Sequence, residues 1–157
     1  MAVAMKLQNF AVVAAVVGLL TACDTSADND PGRACPEVNA IQIMPFREER
    51  GVDLAYDKLR FDAQCEPILW KTATSDKLMP DPREEPKYGG FTEGDAAVFV
   101  LVDKYHVPLE EVLPDDQAED WKAHGVWAYF EYVESPRNRV AAVARLKERL
   151  VDKEKLK

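Results

Sequence analysis

From Phe10 to Leu20 the chain reads FAVVAAVVGLL, eleven apolar residues without a charge, preceded in residues 1–9 by a single cation, Lys6. As a helix that run rises only about 16 Å, roughly half of the ~30 Å hydrocarbon core of a bilayer. It is too short to span a membrane and has the build of the hydrophobic region of an export signal. Met5-Lys6 would serve equally well as its start. The constraint on folding is strong, because residues 1–22 hold one base and no acid. Nearly all of the chain's charge, and any core it builds, therefore belong to residues 23–157.

The run ends in Leu20-Thr21-Ala22-Cys23. This stretch resembles the signal peptides of bacterial lipoproteins, whose lipobox is an aliphatic residue, two small residues and a cysteine. All four positions match, and the resemblance covers residues 5–23. It implies that the Cys23 thiol carries a diacylglyceryl group, that a lipoprotein signal peptidase cuts just before it, and that the new amine is acylated, as by palmitate. Residues 1–22 would then be signal peptide, 23–33 the lipidated cysteine and a tether, and 34–157 a single extracytoplasmic domain. Two or more acyl chains hold a protein stably on a membrane, at about 0.8 kcal/mol per buried methylene. Asp24, directly after the cysteine, resembles the signal that keeps enterobacterial lipoproteins in the inner membrane. The implied location is the outward face of the cytoplasmic membrane.

Asp24 to Arg33, DTSADNDPGR, is polar and contains Pro31 and Gly32. It predicts a flexible tether of about 18 Å as a coil and about 33 Å when extended. With Cys23 lipidated, Cys35 and Cys65 remain, an even number in an oxidising compartment, which predicts a disulfide. The alternative is two free buried thiols. A metal or redox role is weaker, since there is no CxxC or Cys/His cluster.

The body reads as α+β, a small single domain of three to four helices against a short antiparallel sheet with one disulfide. Ile41 and Ile43 alternate with polar residues, as do Leu59, Phe61, Ala63 and Cys65, and Ile68-Leu69-Trp70 extend the apolar run. Val52, Ala55, Tyr56 and Leu59 fit a helical face equally well. Residues 74–90, with Pro80, Pro82, Pro86, Gly89 and Gly90, predict a long surface loop. Thr92 and Asp95 resemble a capping box opening a central apolar helix that stops before Pro108. Pro108 suits the first turn of a short helix, PLEEVL, and Asp115 could cap another reaching about Ala123. VWAYFEYV, residues 126–133, favours a strand by its β-branched and aromatic content, with a helix as the alternative. Ser135-Pro136 predicts a last helix with Val140, Val143, Leu146 and Leu150 as its apolar stripe.

Charge excludes one class of function. The whole chain carries a net -8, and phosphate binding needs a clustered cationic face, so nucleic acid is not an expected partner. Hydrophobic residues make up 47% of the chain, which excludes disorder throughout. The sign is unevenly distributed: after Ser135 eight Lys/Arg face three Asp/Glu, a net of +5, whereas residues 23–135 carry -14. A basic end on an acidic body can dock on that body, on anionic headgroups or on an acidic partner.

Catalytic signatures are sparse. His106 and His124 are the chain's two histidines, and Asp120 lies four residues before His124, so both could face one ligand. Histidines near helix ends are also favoured by the helix dipole alone. Nucleophile elbow, HExxH, P-loop and dinucleotide motifs are absent from the sequence. Glu110, Glu111, Asp115, Asp116, Glu119 and Asp120 could attract a divalent cation, but they also suit helix N-termini, and Glu84-Glu85 is no more specific. No catalytic residue, metal or cofactor is expected. Trp121, Trp127, Tyr129, Phe130 and Tyr132, with Arg137 and Arg139, are the candidate partner-binding residues, although aromatics build cores as readily as interfaces.

The expectation is a non-enzymatic, lipid-anchored extracytoplasmic protein that binds another cell-envelope protein in an assembly, accessory or inhibitory role. Two alternatives are a prophage- or plasmid-encoded exclusion lipoprotein and a small envelope hydrolase using His124.

Overall fold

Thr92 and Asp95 open the element around which the rest is packed. In the computed structural model, which describes residues 34–42, 53–83 and 88–155, the Thr92 hydroxyl accepts from the Asp95 N–H at 3.1 Å and the Asp95 carboxylate accepts from the Thr92 N–H at 2.9 Å. This is a complete capping box. The regular elements among the described residues are α1 (Leu54–Phe61), α2 (Glu66–Thr72), α3 (Glu93–Tyr105), α4 (Ala118–His124), α5 (Val126–Val133) and α6 (Pro136–Lys155), with 3-10 turns at Val38–Ala40, Ala63–Cys65, Leu109–Val112 and Asp115–Gln117. All belong to one unit, Ala34–Lys157.

Every residue of α3 from Gly94 to Val102 is buried, as the all-round apolar pattern requires. α1 and α2 pack against α3, α5 packs against α4 and α6, and α6 returns to α3 and to the turn Leu109–Val112. The rings of Phe99 and Tyr129 meet edge to face at 5.6 Å, those of Phe91 and Phe130 at 6.1 Å. Gly94 marks the tightest approach: a Cβ there would lie 2.4 Å from the Ser75 carbonyl oxygen. The chain leaving α2 thus crosses the first turn of α3 backbone to backbone, which only glycine permits. His106 closes α3 in the left-handed conformation, with φ 51°.

The expected α+β architecture is corrected to an all-α one. Among the described residues there is no strand, and the only ladder-like contact is an isolated antiparallel bridge between Leu78 and Thr92. VWAYFEYV is the helix α5. Its Tyr129, Phe130 and Val133, with half-buried Val126, recur at helical spacing and face the core, so packing overrides β propensity. The alternation of Leu59, Phe61, Ala63 and Cys65 is not a strand either. Leu59 and Cys65 are buried, but Phe61, on the outer face of α1, and Ala63, in the turn after its Asp62 cap, are exposed. The Asp62 carboxylate accepts from the Gln64 N–H at 2.9 Å and starts a new turn that runs into α2. Ile68-Leu69-Trp70 belong to α2, and Ile41 follows the Val38–Ala40 turn, while Ile43 lies outside the described residues.

The helical expectations need smaller corrections. Leu109–Val112 and Asp115–Gln117 are 3-10 turns, and α4 begins at Ala118 without a side-chain cap. Gly125, at φ 57° and ψ -132°, breaks the chain between α4 and α5 in a region that L-residues avoid. In α6 Val143 and Leu146 are buried as expected, but Val140 is 55% exposed. Arg139 takes its place in the inward stripe, followed by Ala142, Val143, Leu146 and half-buried Leu150.

The expected disulfide is present. Cys35 and Cys65 are bonded, with their Cα atoms 5.4 Å apart, and close a loop of thirty residues.

Candidate interaction surface

The candidate partner-binding residues separate into two environments. Tyr129 and Phe130 are in the core, and Arg139 is 6% exposed. Trp121, Trp127 and Tyr132 are half-buried at the margin of the core, and Arg137 is exposed on the first turn of α6.

Arg139 is buried because a counterion waits for it. Its guanidinium is paired with the Asp95 carboxylate, donates to the Thr92 hydroxyl at 2.9 Å, and donates to the Val133 carbonyl at 3.2 Å. The Tyr129 hydroxyl donates to Asp95 at 3.5 Å. Burial, and then the Asp95 charge, hold the Tyr129 phenol well above its ordinary pKa. The capping box of α3 is therefore also the socket for α6. A charge buried this deeply requires full pairing. That condition is met: among the described residues no buried side-chain nitrogen or oxygen lacks a partner.

A second buried arginine went unseen in the sequence. Arg83, within the proline-rich loop, is 7% exposed. It donates to the Asp81 carboxylate at 2.8 Å and to the Tyr88 and Gly89 carbonyls at 3.0 and 2.8 Å. Its guanidinium lies 4.5 Å from the Phe130 ring centroid and 5.8 Å from that of Trp127. The loop is thereby stitched to α5 by stacking and hydrogen bonds. Partial burial works to raise the Asp81 pKa, but the hydrogen bonds from Arg83 outweigh it and hold the carboxyl below its ordinary value. An arginine among prolines gave no periodic signal. Glu84-Glu85 lie outside the described residues.

Outward from this stitch the surface is aromatic and acidic. Tyr88 is half-buried. Loss of water around its phenol, and then the carboxylates of Glu131, Asp120 and Glu134, push it above its ordinary value. One face thus gathers Tyr88 from the loop, Asp120 from α4, and Glu131 and Glu134 from α5 and its end. Residues 108–135 hold eight acids and one base, Lys122, which is itself paired with Glu119 at 2.6 Å. The basic end is turned partly inward: Arg139 meets Asp95, Arg149 reaches Glu111 at 3.7 Å, and the Lys147 ammonium lies 5.4 Å from the Trp70 ring centroid. Of the three docking choices open to that end, the structure shows contacts with the body.

His106 and His124 are both exposed, at the ends of α3 and α4, and Asp120 is exposed one turn before His124. Among the described residues, the trio of donors close enough to share an ion is Cys35, Asp62 and Cys65. Two of its three ligand atoms are the sulfurs of the disulfide, so no thiolate is available there. Also among the described residues, no helix is long and apolar enough to cross a membrane. Cys23 and Asp24 lie outside the described residues. No protein-family model, curated protein or solved structure matches this chain.

Proposed function

We propose that this chain is exported, held by lipid at Cys23 on the outward face of a cell membrane, and binds another cell-envelope protein without catalysing a reaction. Assembly, accessory and inhibitory roles all fit this description. The observation that carries the reading is the Cys35–Cys65 disulfide. Structural disulfides persist in oxidising compartments, and this one lies twelve residues beyond the lipobox cysteine that would anchor the domain in such a compartment. The binding part of the reading is supported by the margin of half-buried Tyr88, Trp121, Trp127 and Tyr132 amid carboxylates. Aromatic side chains in such positions are the commonest anchors of protein interfaces, and the surrounding charge favours a partner with a basic face.

The test is capture from native membranes with the full-length lipidated protein, beside a variant carrying Asp120→Lys and Glu131→Lys, two exposed positions. A specific partner that is recovered by the parent and lost by the variant is the expected result. Recovery of the same proteins by both would show that this surface binds nothing. Metabolic labelling with palmitate checks the anchor, and label that persists in Cys23→Ser would refute the lipidation site.

A further inference from the structure

Among the described residues, the two most exposed large apolar side chains lie on one stripe of α1: Leu54 is 79% and Phe61 is 69% exposed, with Leu78 at 68% elsewhere. Seven residues apart, they stand two helical turns from each other, opposite the buried Tyr56 and Leu59. The last turn also carries Lys58 and Arg60. The Arg60 guanidinium lies 4.7 Å from the Phe61 ring centroid and 3.0 Å from the Asp103 carboxylate. An apolar tip beside long cationic side chains suits the boundary between lipid headgroups and acyl chains, where the stems lie in apolar surroundings and the charges stay wet. Asp57 and Asp62 offset the two cations. The attraction is therefore apolar in origin and requires no anionic lipid.

The point at which the chain enters the fold selects lipid as the occupant. Cys35 is bonded to Cys65, and the carboxylate of Asp62, the residue after Phe61, lies within 4.8 Å of both sulfurs. The chain's entry point and the Phe61 tip thus share one corner. Cys35 lies twelve positions after Cys23. Such a segment reaches about 40 Å when extended and averages about 19 Å as a coil. An anchor at Cys23 keeps this corner near the bilayer and raises its effective concentration there, so that even a two-residue contact is populated.

We propose that the outer face of α1, with Leu54 and Phe61 at its apolar centre, seats on the lipid surface beside the anchor, so that the domain rests on the bilayer instead of trailing from its tether. This rests on the lipid-anchor reading above. The test uses the full-length lipidated protein in vesicles of phosphatidylethanolamine and phosphatidylcholine, with and without acyl chains brominated near the headgroup. An indole is introduced by Phe61→Trp, or by Lys122→Trp on α4 as a control, and its emission is taken as the difference from the parent. Apolar faces of this kind enter about 5–10 Å below the headgroups, so bromolipid should cut the emission added by Phe61→Trp at least about twofold and leave the control unchanged. Equal quenching at both positions, or none at either, in vesicles that carry the protein overturns the proposal alone. Failure of the protein to float with the vesicles overturns the anchor and this proposal together. Phe61 and Lys122 are both exposed, and a urea-unfolding midpoint equal to the parent's confirms that each variant is folded.

Discussion

Two long-range links flank α3, and they are made of different chemistry. On the side of α1 and α2 the Cys35–Cys65 bond ties the start of the domain to the turn before α2. On the side of α5 and α6 the Arg139–Asp95 pair ties the last helix to the first turn of α3. The covalent link acts mainly by restricting the unfolded chain and does not need a buried, fully paired interior around it. The ionic link acts in the folded state, and its partners are costly to bury unless both are present. The first tolerates exposed neighbours such as Phe61, whereas the second demands an interior in which every donor is satisfied.

The largest expected effect breaks the ionic side. Arg139→Ala leaves the Asp95 carboxylate buried without its cation and should cost about 3–5 kcal/mol in urea unfolding. Pairing Arg139→Met with Asp95→Asn should recover much of that loss, and a double variant no more stable than the single one would show that the charge is not the cause. Next, Cys35→Ala with Cys65→Ala should cost about 3–4 kcal/mol, the entropy of a loop of some thirty residues, and mild reduction of the parent should give the same loss. Gly94→Ala is smaller, at about 1–3 kcal/mol, since the Ser75 and Ala73 carbonyls must retreat from the new methyl group. A thermal midpoint equal to the parent's would mean that the crossing is looser than it stands here.

The smallest expected effect distinguishes the two sides by pH. Tyr129 has a raised pKa in the folded state. The stability it contributes is therefore complete below its unfolded value of about 10 and is lost as pH rises beyond that value. Alkaline unfolding should be less steep in Tyr129→Phe, whereas the disulfide variant should keep the parent's slope. Identical alkaline profiles for parent and Tyr129→Phe would remove Tyr129 from the account.

What could be read without coordinates was local or counted. The capping box at Thr92 and Asp95 and the pairing of two leftover cysteines each need only a few residues and a known preference. The fold class is not legible where short apolar segments fit both periods. Residues 59–65 satisfy a period of two only because a helix end, a turn and a helix start fall in that order. Residues 126–133 carry strand-forming side chains that a helix buries equally well. For runs this short, propensity differences of a few tenths of a kcal/mol per residue yield to packing.

The sequence by itself determined the apolar central helix, the position of its cap, the disulfide and the segregation of acidic from basic residues, because each follows from neighbours along the chain. Only the tertiary structure decided that Arg139 and Arg83 are interior, that Tyr129 and Phe130 serve the core while Trp121, Trp127 and Tyr132 reach its margin, and that Leu54 and Phe61 remain outside. An arginine's burial depends on whether a carboxylate forty-four residues away arrives to meet it. An apolar side chain's exposure depends on which face of its helix the core leaves uncovered. Both are properties of how distant segments pack, and no local pattern encodes them.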